Sequence, residues 1–246
     1  MPLRAVFFDV GDTLWRSDGA RTLPLAELAA AQVQEVAARY GLDLPERLVA
    51  ERVYDAVVRA VASARASGLV EPDYVALASA VLEELGQPVP REVAAELLEA
   101  CYVSGPARGK AAVPAAGAVL RCLARRGLRL GIVTNRAFGG PRFRRDLLEA
   151  GFDVRWDVIA VSSEVGVLKP HPRIFTWALA QAGVEPGEAL MVGDSYAEDI
   201  RGAKRVGMRT AWVPVAPCEV RTAEDADWVL ESLEQLVELV EREGAA

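Results

Sequence analysis

Four short stretches of the chain carry side chains suited to chemistry. The first, Val6-Phe7-Phe8-Asp9-Val10-Gly11-Asp12-Thr13-Leu14, is an apolar run that stops at a carboxylate. Such a run fits a strand buried on both faces, and the acids, Gly and Thr after it fit a loop at the strand's carboxyl end. A carboxylate placed there is a nucleophile or a metal ligand, since burying it unpaired costs on the order of several kcal/mol. The plainer alternative, an Asp that caps the next helix, suits Asp12 better than Asp9. Asp194, with Asp199 five residues further on, joins Asp9 in an oxygen-rich set suited to Mg²⁺, which takes a couple of carboxylates plus water and phosphate oxygens. Lys169, in Gly166-Val167-Leu168-Lys169-Pro170, can set an ammonium beside an anion. Thr134, in Val133-Thr134-Asn135, offers a hydroxyl followed by backbone N–H groups that suit a phosphoryl oxygen. A hydroxyl, a Lys and a metal ion are what phosphoryl transfer requires, because its transition state is stabilised mainly by position and charge.

These residues act together only if the fold gathers them. From Val113 onward strand and helix patterns alternate. Helical Pro114–Arg126 precedes the strand Leu128–Val133; helical Pro141–Ala150 precedes Asp157–Val161; helical Pro172–Ala182 precedes Ala189–Val192. A further helix reaching Val206 precedes Arg209–Val213, and a last one runs from about Leu233 to Arg242. Repeated βα units imply a parallel sheet with right-handed crossovers, so Asp9, Thr134-Asn135 and Asp194 all end strands at one edge, where open α/β sheets bind ligands. Between Leu23 and Tyr102 the pattern is helical instead, with apolar residues three and four apart and Pro24, Pro45 and Pro72 marking helix starts; it divides into about four helices. Ser104-Gly105-Pro106-Ala107-Arg108-Gly109 reads as a linker back to the first domain. The expected organisation is a Rossmann-like, doubly wound α/β core over residues 1–16 and 110–246, with an all-α insertion over residues 17–109.

Composition bounds the partners. At 246 residues, 52% hydrophobic and 26% charged, the chain is long enough for one large or two ordinary domains with proper cores. A net charge of −7 with no basic run argues against nucleic-acid and membrane-surface partners. Met1 leads straight toward a strand without a leader pattern, so the cytoplasm is the expected location, with a monomer or homodimer as the expected state. Cys101, Cys122 and Cys218 have no metal-ligand spacing and read as reduced, mostly buried apolar residues.

With Phe8-Asp9-Val10-Gly11-Asp12-Thr13-Leu14, Val133-Thr134-Asn135, Lys169-Pro170 and Gly193-Asp194-Ser195-Tyr196-Ala197-Glu198-Asp199 in this order, the chain resembles the haloacid dehalogenase-like (HAD) hydrolase superfamily. The resemblance covers nearly the whole chain. It implies a Rossmann-like core, a mobile helical cap pivoting through Ser17–Arg21 and Ser104–Lys110, an aspartyl nucleophile, and Mg²⁺-dependent hydrolysis of a small phosphorylated metabolite. Carried over by position, it makes Asp9 nucleophile and metal ligand, Gly11 a ligand through its carbonyl, and Asp194 a metal ligand. Thr134, Asn135 and Lys169 would hold the phosphoryl group, and Asp199 would support the metal or Lys169.

One position departs from that pattern. The superfamily's phosphatases usually carry a second Asp two residues after the nucleophile as general acid and base; here Gly11 stands there, and the acid comes one place later at Asp12. A one-residue shift redirects a side chain, and acid placement tolerates little error. The superfamily's dehalogenases, which attack carbon without a metal, also lack that acid, although Gly193-Asp194 and Asp199 favour the phosphatase side. Two non-enzyme readings stand beside these: a phosphoacceptor signalling domain, which would not need so large an insertion, and a catalytically weak phosphate-binding protein. His171, between two prolines, reads as structural; Arg142, Arg144 and Arg145 read as a solvated helix face; Trp15 and Arg136 border the site.

Overall fold

A computed structural model of the protein describes residues 1–17, 24–215 and 224–244 of the chain. It divides into two compact units, Met1–Asp18 with Lys110–Ala246, and Gly19–Gly109. Leu23, Cys218 and all of the Ser17–Arg21 connection except Ser17 lie outside the described residues.

The first unit begins with β1 (Ala5–Phe8), fully buried along its length. After the Asp9–Leu14 loop comes β2 (Trp15–Ser17), where the chain leaves for the second unit. That unit contains α1 (Leu25–Arg39), α2 (Glu46–Ala66), α3 (Tyr74–Glu84) and α4 (Arg91–Ala100). Each presents a buried stripe at three and four spacings, as Ala26, Ala29, Val33 and Val36 do on α1 and Val93, Ala94, Leu97 and Leu98 on α4. The α3 start is fixed by Asp73, whose carboxylate accepts from Ala76 N at 2.9 Å and pairs with Arg91. The segment read as a linker holds a single 3₁₀ turn at Pro106–Arg108.

The chain re-enters the first unit on β3 (Lys110–Ala112), which pairs antiparallel with β2 and so clasps the two ends of the insertion. Then follow α5 (Ala116–Arg125), β4 (Arg129–Thr134), α6 (Gly140–Glu149), β5 (Val158–Val161), α7 (Ser162–Val165), α8 (Pro172–Ala182) and β6 (Ala189–Gly193). A π-helical turn at Tyr196–Ile200 leads into α9 (Arg201–Lys204), β7 (Arg209–Trp212), β8 (Trp228–Val229) and α10 (Gln235–Gly244). The six-stranded sheet has the order β5-β4-β1-β6-β7-β8 with every pairing parallel. Short β2, β3, β8 and α7 carry too little periodic pattern to be read from sequence.

Alternation on β1 shows why the sheet is covered on both faces. Val6 and Phe8 pack with residues of α5, α6 and α10, such as Leu120, Phe143 and Leu236. Ala5 and Phe7 pack on the other side with Ile174, Phe175 and Leu179 of α8. Phe7 fits because its register partner on β4 is Gly131: a Cβ there would stand 2.4 Å from the Phe7 ring. Burying such side chains contributes about 1.5–3 kcal/mol each and holds the central strands rigid beneath the loops that follow them. Among the described residues no helix is long and apolar enough to cross a membrane.

Candidate active site

The parallel register delivers three of the expected groups to one edge. β1, β4 and β6 are adjacent, so Asp9 just past β1, Thr134 at the end of β4 and Asp194 just past β6 emerge side by side. Asp9 is anchored through its main chain, its N–H donating to Val192 O at 2.9 Å.

Lys169 ties the site together from the segment ahead of α8. Its ammonium, 2% exposed, donates to Asp9 Oδ1 at 2.7 Å, Asp199 Oδ1 at 2.6 Å and Val133 O at 2.9 Å, so all three of its hydrogens are used. Burial alone would lower its pKa, but Asp199 and then Asp9 more than reverse that, and the net shift is upward; Lys169 is held as a cation. The fully buried Asp199 carboxyl is pushed up by the same burial and drawn back by the Lys169 charge. Its second oxygen accepts from Ser195 N at 3.0 Å. Gly193 makes room for it, since a Cβ at that position would collide with the Asp199 carboxylate.

Asp9, Asp194 and Asp199 offer oxygens that all lie within 4.8 Å of one another. Burial first, and the neighbouring Asp9 charge second, push the Asp194 carboxyl up to about 6. Thr13, itself fully buried, donates from Oγ1 to Asp194 Oδ1 at 3.2 Å, and Trp212 Nε1 donates to the Asp194 carbonyl at 2.7 Å. Tyr196 packs edge-on against Trp212 with ring centroids 5.1 Å apart.

Asn135 lies in the site, with its side chain spent on Lys169. Its Oδ1 accepts from Lys169 N at 2.7 Å, and its Nδ2 donates to Lys169 O at 3.2 Å and to Glu198 Oε2 at 3.0 Å. The next residue, Arg136, is held by Ser162, whose Oγ accepts from Arg136 N at 2.9 Å; its guanidinium lies 4.3 Å from the Phe143 ring centre and 5.6 Å from that of Trp15. His171 caps α8, its Nδ1 accepting from Arg173 N at 3.1 Å.

Gly11 and Asp12 account for the departure noted in the sequence. A Cβ at Gly11 would have Asp9 Oδ2 at 3.9 Å as its nearest contact, so space is open beside the Asp9 carboxylate. Asp12 takes the left-handed conformation, with φ of 56°, which favours glycine but which Asp tolerates. Its half-exposed carboxylate stands 3.7 Å from Lys110 Nζ. The sequence assigns no site role to Thr13, Ser162, Glu198 or Trp212, because what each does rests on hydrogen bonds to residues distant in the chain.

Comparison with known proteins gives the family. The family of haloacid dehalogenase-like hydrolases matches residues 3–207. The chain is 32% identical over 249 aligned residues to a glyceraldehyde 3-phosphate phosphatase of Pyrococcus furiosus, covering 99% of this chain and 95% of that one. Among solved structures it resembles an HAD phosphatase from Thermococcus onnurineus, at 27% identity and a TM-score of 0.57 over 97% of this chain and 98% of that one. It also resembles a 2-haloacid dehalogenase from Pseudomonas syringae pv. Tomato, at 25% identity and a TM-score of 0.62 over 98% and 99% of the two chains. A doubly wound parallel sheet with its carboxylates and lysine at one edge, and a family match across most of its length, make this chain a member of the haloacid dehalogenase-like hydrolases.

Proposed function

We propose that the protein is a Mg²⁺-dependent phosphatase that hydrolyses a small phosphorylated metabolite through phosphorylated Asp9. The observation that carries this reading is the buried Asp9–Lys169–Asp199 chain with Asp194 beside it, a concentration of charge suited to holding a phosphoryl group. The phosphatase names of the relatives support the substrate class.

The donor set fits the ion. Asp199 has one oxygen on Lys169 and the other on Ser195 N, so Asp9, Asp194 and the Gly11 carbonyl are the groups that would hold it, with Asp199 acting through Lys169. The raised Asp194 carboxyl reflects burial and a like charge that a divalent cation would relieve. When bound, Mg²⁺ supplies positive charge to the phosphoryl oxygens.

In the first step an Asp9 carboxylate oxygen bonds to phosphorus as the bond from phosphorus to the leaving oxygen breaks, and the departing group takes a proton from solvent. Water then attacks phosphorus, the Asp9–phosphorus bond breaks, and phosphate leaves as the carboxylate is restored. Lys169 orients Asp9; Thr134 and the Asn135 N–H meet the phosphoryl oxygens, while the Asn135 side chain keeps Lys169 in place. The helical unit, clasped at both ends by β2 and β3, is proposed as the cap that sets substrate choice.

The test is turnover of an aryl phosphate with Mg²⁺. Chelation is expected to stop it and added Mg²⁺ to restore it, with Asp194→Ala raising the Mg²⁺ required; Asp9→Asn is expected to abolish it. Gly11 favours a second reading, a dehalogenase, which release of halide from 2-haloacids in excess chelator would support in place of the first.

A further inference from the structure

Two successive acids on one turn hold opposite ends of Lys169. The π-helical turn at Tyr196–Ile200 starts on Ser195, whose Oγ accepts from Glu198 N at 3.3 Å. From this turn Asp199 reaches the Lys169 ammonium at 2.6 Å. Its neighbour Glu198 accepts at 3.0 Å from Asn135 Nδ2, and that same carboxamide grips the main chain of Lys169 on both sides, at 2.7 and 3.2 Å. The wide turn lets consecutive side chains work on one neighbour, a geometry that recurs where π turns occur at functional sites.

We infer that Glu198 is a positioning residue: it fixes the orientation of the Asn135 carboxamide so that Asn135 clamps the Lys169 peptide and aims its ammonium at Asp9. An Asn amide has no steric preference between its O and N ends, so a partner must choose. Glu198 accepts only, which forces Nδ2 toward Glu198 and leaves Oδ1 to Lys169 N. Without it Nδ2 keeps only its 3.2 Å hydrogen bond to Lys169 O, and the carboxamide can swing away from the Lys169 peptide. The ammonium would then lose its aim while Asp199 still neutralised it. Nothing in this role needs Glu198 to touch substrate.

The inference rests on the proposed phosphatase reading, in which Lys169 orients Asp9, so its test has one arm in catalysis and one outside it. With an aryl phosphate and Mg²⁺, Glu198→Ala is expected to lower kcat roughly tenfold with KM little changed, the scale of one lost hydrogen bond to a charged group. Glu198→Gln, which keeps an acceptor oxygen, is expected to recover most of it. Because Glu198 acts through Asn135, the Asn135→Ala/Glu198→Ala double variant should be no slower than Asn135→Ala alone. Amide hydrogen exchange supplies the second arm. The Lys169 N–H, which donates to Asn135, should exchange roughly tenfold faster in Glu198→Ala and return to the wild-type rate in Glu198→Gln. Unchanged Lys169 exchange, or additive losses in the double variant, would overturn the inference. Faster exchange in Glu198→Ala, with no phosphatase turnover by the wild type, would sustain the clamp and reject the phosphatase reading alone.

Discussion

The Asp199 carboxylate lies over the Cα of Gly193, so that a Cβ added there would stand 2.3 Å from Asp199 Oδ2. Neither partner is free to give, because Gly193 belongs to β6 and the Asp199 oxygens are held by Lys169 and Ser195. Gly193→Ala should therefore cost about 1–3 kcal/mol of stability, the usual scale for overpacking. Turnover should fall by more than tenfold, since Lys169 moves with Asp199. Urea unfolding and kcat measured on one preparation check both; a variant normal in both would mean that the carboxylate can yield.

Replacing Lys169 tests what the buried charge cluster costs. Lys169→Met would leave Asp9 and Asp199 facing each other without their shared cation, and breaking a buried pair from one side costs about 3–5 kcal/mol. Acid should soften the penalty, because burial already raises the Asp199 carboxyl and protonating it removes a charge that has lost its partner. The stability gap between variant and wild type, measured in metal-free buffer, is expected to be smaller at pH 5 than at pH 8.

With Gly11 where the superfamily's phosphatases usually carry an acid, the proposed reaction should depend on the leaving group. A positioned general acid contributes about 10²–10⁴-fold, most for strongly basic leaving groups. The wild type is expected to hydrolyse aryl or acyl phosphates far better than alkyl phosphates. Space beside Asp9 Oδ2 admits a side chain, so Gly11→Asp should raise alkyl phosphate turnover selectively and flatten the dependence on leaving-group pKa. A shallow dependence in the wild type would show that another group already supplies the proton, and Asp12→Asn would then identify or eliminate Asp12.

The helical unit should be sensitive to alkali. Burial pushes the Cys101 thiol up to about 12. Burial likewise raises Tyr54, whose hydroxyl donates to the Cys101 carbonyl, and Tyr74, with its hydrogen bond to Glu71 adding to the effect. These groups keep their protons longer in the folded state than in the unfolded one. Their contribution is thus intact below about pH 9 and is lost as pH rises toward the folded values, at up to about 1.4 kcal/mol per pH unit for each group. Denaturant midpoints at pH 8 and pH 11 should show the loss, and Tyr54→Phe, which cannot ionise, should reduce it.

Legibility in the sequence followed the range of the forces involved. The strand-to-carboxylate transition at Asp9, the βα alternation and the four helices of the insertion are local patterns, and each has its counterpart in the structure. The β2–β3 clasp is invisible locally, because Trp15-Arg16-Ser17 and Lys110-Ala111-Ala112 become strands only by finding each other. Asn135 illustrates the same limit within the site. Its position beside Thr134 suggests a ligand contact, while the 34-residue reach to Lys169 that occupies its side chain appears only in three dimensions. Trp212, which holds the Asp194 carbonyl from the next strand, carries no mark of that duty in its surroundings.

Strand order also sets a timetable for the nascent chain. β1 leaves the ribosome well before its partners: it pairs with β4 from Arg129 and with β6 from Ala189, about 180 residues later. At translation speeds of about 5–20 residues per second, this fully buried strand waits roughly ten to forty seconds for its second neighbour. During that interval the helices of the insertion, whose partners are close in sequence, can form. Asp9, made about 180 residues before β6, is therefore among the last to find its surroundings complete, and the apolar segment bearing it lacks that neighbour until then.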